Sequence, residues 1–181
     1  TDMRRVAKTV NFGVAYGMSD YGLEQATELS REEDRNFIIS YFERYPGIRD
    51  YIEFTKRQAR EQGYVQTLLG RRRYIPEINS PNQQVRSAAE RMAINMPVQG
   101  TAADIIKVAM IQLQGEIDRL GLGSKMILQV HDELLFEVPP GELDEMRDML
   151  GEIMCGAIEL EVPLKVDIKV GMNWGEMNHG S

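Results

Sequence analysis

The chain has 181 residues, 43% hydrophobic and 27% charged, with a formal net charge of −7 at pH 7. That balance fits one globular domain, or two small subdomains sharing a core. It excludes a membrane span, because no apolar run approaches the roughly 20 residues a bilayer requires, and a disulfide scaffold, because Cys155 is the single cysteine. Cys155 falls within an apolar helical pattern and is expected to pack internally. There is no signal-peptide pattern and nothing that requires an oxidising compartment, so a cytoplasmic location is expected. The first residue is Thr1 and the chain opens inside a helical pattern, which suggests a fragment; initiator removal alone also accounts for the threonine. The acidic total does not announce a nucleic-acid binder, but phosphate contacts depend on local fields. Arg4, Arg5 and Lys8 form one basic group, and Arg71, Arg72 and Arg73 another. Taken alone, either reads as a solvated face.

In chain order, residues 2–16 are helical in character up to Gly17, and Ser19 can cap a short helix through Leu29. Ser30 with Glu33 fits a capping box ahead of a helix with Ile38, Tyr41 and Phe42 on one stripe. Pro46 and Gly47 break it. Ile48, Tyr51 and Ile52 mark the next helix, which ends near Gly63. The period then changes: Tyr64 to Leu69 and Arg73 to Ile75 are extended runs around Gly70, a hairpin. Pro81 suits the first turn of a helix running to about Met96, where Pro97 should interrupt it. A further long helix follows Thr101, with Ile105, Ala109, Leu113 and Ile117 on one stripe. Lys125 to Val130 and Leu134 to Val138 are β-rich runs around His131, Asp132 and Glu133. Residues 142–159 are helical, with Leu143, Met146, Leu150, Ile153 and Ala157 inward. Leu164, Val166, Ile168 and Val170 alternate with polar residues, as in a half-buried strand. The expected class is α+β, a helical subdomain followed by an antiparallel sheet backed by helices.

Three constellations carry chemistry. Arg4, Lys8, Phe12 and Tyr16 recur every four residues and so form a slanting stripe on one side of a helix. Two cations, a ring and a phenol suit a nucleoside triphosphate, and Gly13 and Gly17 leave room for close approach. The same stripe also fits a helix with a basic exposed end and an aromatic core end. Asp132 and Glu133 lie between strongly apolar strands, where a carboxylate pair could hold Mg²⁺ on a rigid frame. Asp-Glu is also ordinary turn chemistry, and two-metal phosphoryl transfer needs more ligands than one pair. Arg91, Asn95 and Gln99 lie four apart, so long polar groups on one face could reach minor-groove acceptors, or could satisfy one another between helices.

Taken together and in this order, the segments are similar to a known family. RRVAKTVNFGVAYGMS at residues 4–19 resembles motif B of the bacterial-type family A DNA polymerases, and QVHDELLF at 129–136 resembles their motif C. TLLGRRRYIP at 67–76, AAERMAINMPVQGTAADIIK at 88–107 and the tail VGMNWGEMNH resemble the family as well. The resemblance covers essentially the whole chain.

The resemblance implies helical fingers over residues 1–63 and, over 64–181, a palm with helices and the motif C hairpin. It implies that Arg4 and Lys8 contact the triphosphate of an incoming dNTP, that Phe12 stacks near its sugar and base, and that Tyr16 sits by the template base. Lys8, Asp132 and Glu133 take the catalytic roles. Asp132 is the metal ligand, and Glu133 is a supporting carboxylate. His131, Arg91, Asn95 and Gln99 touch the primer end or the duplex minor groove. The implied partners are primer-template DNA and dNTPs, with no membrane; the implied cofactor is Mg²⁺, two ions in the complete site; and the implied setting is a bacterial or phage-infected cell. The family's motif A and thumb normally precede motif B, so they are expected upstream of Thr1, and the isolated chain is expected to be inactive. Single-subunit RNA polymerases share motifs B and C, but there serine commonly follows the motif C aspartate, where this chain has Glu133. A degenerate copy that only binds nucleic acid is disfavoured by the presence of Arg4, Lys8, Tyr16 and Asp132.

Overall fold

A computed structural model describes Lys8, Asn11, Gly13, Tyr16 and residues 31–179. Lys8, Asn11 and Gly13 are helical and Tyr16 stands in a turn, as expected for the opening segment. The short helix expected from Ser19 lies outside the described residues. Contacts divide the chain into two compact units, Thr1–Thr101 and Ala102–Ser181.

In the first unit, helix α1 (Arg31–Arg44) carries the expected stripe, with Ile38, Tyr41 and Phe42 half-buried. Only Tyr45 separates it from α2 (Pro46–Gln62), because Pro46 starts α2 where its missing N–H would have had no partner. Helix α2 buries Ile52, Thr55 and Ala59. It stops at Gly63, whose φ of 75° is the left-handed conformation glycine adopts without penalty and whose N–H bonds to the Ala59 carbonyl at 2.8 Å. Strands β1 (Tyr64–Gln66) and β2 (Arg72–Tyr74) then pair antiparallel, Tyr64 opposite Tyr74 and Val65 opposite Arg73. Val65, Thr67 and Ile75 are buried, so one face of this hairpin is core. Ala59 shares a buried cluster with Val65, Ile75, Ile78, Ala89, Ala93 and Met96. This cluster joins side chains from both sides of Gly63.

Helix α3 (Gln83–Leu120) is continuous over 38 residues, with Pro97 inside it. This corrects the expectation that Pro97 ends one helix and that a second follows Thr101. It also shifts the start: Pro81 precedes the helix, and Asn82 caps it by accepting the Gln84 N–H at 2.9 Å. An interior proline removes one backbone bond and costs about 3 kcal/mol. Packing on both sides of the proline offsets this. Ala93, Ile94 and Met96 are buried before it. After it, the buried Thr101 donates its hydroxyl to the Pro97 carbonyl at 2.6 Å and accepts the Leu68 N–H at 3.1 Å. Such a hydroxyl-to-carbonyl bond four residues back lets a helix bend rather than break.

In the second unit, Ala109, Leu113 and Ile117 are the buried stripe of α3 and Ile105 is half-buried. Strands β3 (Lys125–Val130) and β4 (Glu133–Glu137) form an antiparallel hairpin with a bulge at Ile127, between the pairs Met126–Phe136 and Leu128–Leu135. Helix α4 (Leu143–Gly156) adds Met146 and Met149 to a cluster with Leu113 and Ile117, onto which Met126, Leu134 and Phe136 pack. Cys155 is exposed, which corrects its assignment to the interior. It follows Met146 by nine residues, about 180° around a 3.6-residue helix, and so faces away from the core. Residues 164–170 show the expected alternation of half-buried and exposed side chains, yet only β5 (Lys169–Val170) is in a ladder, with β6 (Asn178–His179). Among the described residues the β structure is therefore three separate two-stranded antiparallel ladders, and helices pack against the first two. No described helix is long and apolar enough to cross a membrane.

Candidate functional site

The β3–β4 turn is set by its sequence. Val130 pairs with Glu133, leaving His131 and Asp132 as a two-residue connection. Such a tight turn requires positive φ at its first central residue, and His131 supplies it at φ 56°, the single non-glycine residue with positive φ among those described. The Gln129 side-chain amide donates to the His131 carbonyl at 3.1 Å and holds the turn. Behind it, Leu134 and Phe136 pack into the apolar cluster, so the turn projects from an anchored frame. Asp132 and Glu133 are both exposed. Adjacent residues face opposite ways only within an extended strand. Here Asp132 is in the turn, and Asp132 and Glu133 both line one cavity of about 700 Å³, which Lys165, Asp167 and Lys169 line as well. Among the described residues no three His, Cys, Asp or Glu side chains come together to hold a metal ion. The pair supplies hard oxygen ligands of the kind Mg²⁺ takes, and other ligands would have to complete the shell.

The base of the same hairpin is closed by a residue the sequence reading missed. Glu142 accepts the N–H of Gly123 at 2.8 Å and of Ser124 at 2.9 Å, and the Ser124 hydroxyl at 2.6 Å. These bonds, that of the Ser124 hydroxyl first, hold its carboxyl below the usual glutamate range.

In the first unit, the continuity of α3 keeps Arg91, Asn95 and Gln99 on one slanting face, with Arg91 and Gln99 exposed and Asn95 half-buried. The Asn95 Oδ1 is buried without a hydrogen-bond partner among the described residues. An unpaired buried acceptor carries a desolvation cost of about 1–3 kcal/mol. One residue earlier, the Tyr51 hydroxyl donates to the Ile94 carbonyl at 2.8 Å. Burial pushes the Tyr51 phenol above its ordinary value; its bond with Thr55 opposes the shift, and proximity to Tyr16 adds to it. Tyr16 thus stands near the phenol that grips α3 beside Asn95. Tyr51 was legible only as an apolar-stripe residue, although a buried phenol needs a partner and that need was the available signal. Lys8 is exposed, and nearby Asn11 accepts the Tyr41 hydroxyl at 2.8 Å. Arg4 and Phe12 lie outside the described residues.

Residues 1–176 match DNA polymerase family A. The chain belongs to DNA polymerase family A. It is 49% identical over 178 residues to DNA polymerase I of Mycobacterium bovis, covering 98% of this chain and 20% of that protein. It is 52% identical over 173 residues to DNA polymerase I of Lactococcus lactis, covering 96% and 20% respectively. The POL domain of Pol1 from M. smegmatis, solved in complex with DNA primer-template and dNTP, superposes with a TM-score of 0.87 at 52% identity, over 91% of this chain and 29% of that one. The chain therefore spans about one-fifth of the length of these curated family A relatives.

Proposed function

We propose that this chain carries nucleotide-facing and duplex-facing residues of a DNA-directed DNA polymerase, which adds dNTPs to a primer 3′ end under template direction, in replication or repair, in the cytoplasm of a bacterial or phage-infected cell. The observation that carries this is the β3–β4 turn, where two carboxylates and a histidine in a left-handed backbone conformation project from an apolar frame in a chain of this family. The M. smegmatis relative, solved with primer-template and dNTP, supports DNA and dNTPs as the ligands. In this reading residues 1–63 serve as fingers and 64–181 as palm.

Asp132 is the metal-holding carboxylate and Glu133 its support. Bound Mg²⁺, two ions in the complete site, would offset the negative charge of the phosphates and ease deprotonation of the attacking 3′ hydroxyl. Since two carboxylates are too few for two ions, the remaining ligands would come from the family's motif A segment, which acts with a thumb in the longer parent polymerase. Lys8 and Arg4 bind the triphosphate, Lys8 more strongly as charge develops on it. Phe12 packs on sugar and base, and Tyr16 abuts the template base. His131, Arg91, Asn95 and Gln99 contact the primer end and the minor groove, where every base pair offers N3 or O2 acceptors.

The test is incorporation by the parent polymerase containing this chain. It should add dNTPs in preference to rNTPs on a primed DNA template, and Lys8→Ala should slow incorporation by about 10²–10³ with duplex affinity little changed. If Lys8→Ala lowers duplex affinity and leaves incorporation at saturating dNTP intact, Lys8 is a DNA-backbone contact and the assignment fails.

A further inference from the structure

We propose that the solvent face of the β1–β2 hairpin, built from Tyr64, Tyr74 and Arg72, is a stacking platform for an unpaired nucleotide of the single-stranded template. This rests on the polymerase reading above and adds a contact surface to it. Side chains alternate across a strand, so the register puts Tyr64, Gln66, Arg72 and Tyr74 on one face and Val65, Thr67 and Arg73 on the other. Val65 and Thr67 are core, which leaves the first set to solvent.

On that face the Tyr64 and Tyr74 ring centroids are 5.7 Å apart, and the Arg72 guanidinium lies 4.6 Å over the Tyr64 ring. A cross-strand aromatic pair and a cation over a ring stabilise a hairpin, and that accounts for the half-buried Tyr64. It does not require Tyr74, which is 69% exposed, to present its ring to water. Charge selects the occupant. Residues 64–75 hold three arginines and no acidic residue, within a chain of net charge −7. Among the described residues Arg72 makes no ion pair with a carboxylate, whereas Arg60 is held by Glu90 at 2.6 Å. An exposed ring beside the Arg72 guanidinium matches single-stranded nucleic acid, where a base lies on the ring and a phosphate meets the cation. Inside a duplex both faces of every base are covered by stacked neighbours, so the occupant is an unpaired nucleotide.

The experiment measures affinity of the parent polymerase for two DNAs: a primer-template with a long single-stranded template overhang, and the same duplex with a blunt end. Tyr74→Ala should weaken binding of the overhang substrate by about ten-fold, the scale of one lost base–ring stack, and leave the blunt duplex unchanged. Tyr74→Phe keeps the ring and should bind both normally. Arg72→Ala should weaken overhang binding and reduce its salt dependence. Tyr74 is on the surface, so its truncation opens no core, and an unchanged melting temperature verifies folding. Equal affinity of Tyr74→Ala and the parent for the overhang substrate would overturn the proposal. So would equal losses on both DNAs, which would make this face a duplex contact. Primer extension by the unmodified parent reads the polymerase assignment separately: if extension is normal and the overhang effect is missing, only the platform is lost.

Discussion

Gly100→Ala is expected to destabilise the chain, although it replaces a glycine inside a helix. Propensity alone favours alanine by about 0.8–1.0 kcal/mol. A Cβ at position 100, however, would lie 2.6 Å from Thr67 Cγ2 and 3.4 Å from the Met96 methyl. Carbon atoms in contact prefer about 3.5–4.0 Å. The Met96 end can swing aside, but Thr67 cannot. It is 3% exposed, its N–H donates to the Arg71 carbonyl at 2.9 Å, and its carbonyl accepts the Gly70 N–H at 3.0 Å. Its hydroxyl accepts the Arg71 N–H at 3.1 Å, and rotating the methyl away sacrifices that bond. Overpacking of this kind costs about 1–3 kcal/mol, so the net effect is a loss of up to about 2 kcal/mol. Gly115 in the same helix is the control: nothing lies within 4 Å of its built Cβ, and Gly115→Ala should stabilise by about 0.5–1 kcal/mol. Urea unfolding followed by far-UV circular dichroism reads both. Thr67→Ser removes the obstructing methyl and keeps the hydroxyl, so Thr67→Ser with Gly100→Ala should recover most of the loss. The reasoning is refuted if Gly100→Ala stabilises as Gly115→Ala does, or if the double variant recovers nothing.

Two further substitutions test the hairpin. His131→Gly removes a left-handed conformation that costs an L-residue about 1–2 kcal/mol, against glycine's extra unfolded freedom of about 0.5–1 kcal/mol; the urea midpoint should rise, and a lowered midpoint would show that the turn is unstrained. The carboxyl of Glu142 is held below its ordinary range, so its contribution is present above the unfolded glutamate value of about 4.3 and is lost as pH falls through the lower folded value. Glu142→Gln should therefore flatten the decline of the melting temperature on acidification, and an unchanged acid profile would show that the three bonds contribute nothing.

Helices and hairpins with a clean period were legible in the sequence. Ile38, Tyr41 and Phe42 and the Gly63 stop stand where the pattern put them, and the hairpins at Gly70 and His131 form with shifted strand ends, Tyr64–Gln66 and Arg72–Tyr74 in the first and Glu133–Glu137 after His131 in the second. Local rules failed where tertiary contacts override them. Pro97 reads as a stop, but buried residues on both sides and the Thr101 hydroxyl carry α3 through it. Cys155 reads as core because its neighbours are apolar, yet its angle around α4 turns it outward. The strand reading of 164–170 captured the alternation, but alternation reports burial and does not identify a backbone partner. At the candidate site, Asp132 and Glu133 were visible as a pair in a turn. The clasps of Gln129, Tyr51 and Glu142 were not, because each depends on a partner whose proximity only the folded chain creates.

The central claim, that Asp132 is the metal-holding carboxylate of a polymerase site, is tested most directly by single-turnover dNTP incorporation in the parent polymerase. Asp132→Asn keeps the shape of the turn and removes one charge, and Glu133→Gln does the same one position on, in the same cavity. Mg²⁺ tolerates little displacement of its ligands, so the neighbouring carboxylate should not substitute. The account predicts that Asp132→Asn lowers Mg²⁺-dependent incorporation by at least about 10²–10³ with primer-template affinity retained, while Glu133→Gln lowers it only in part. Near-normal incorporation by Asp132→Asn, or greater damage from Glu133→Gln, would contradict it.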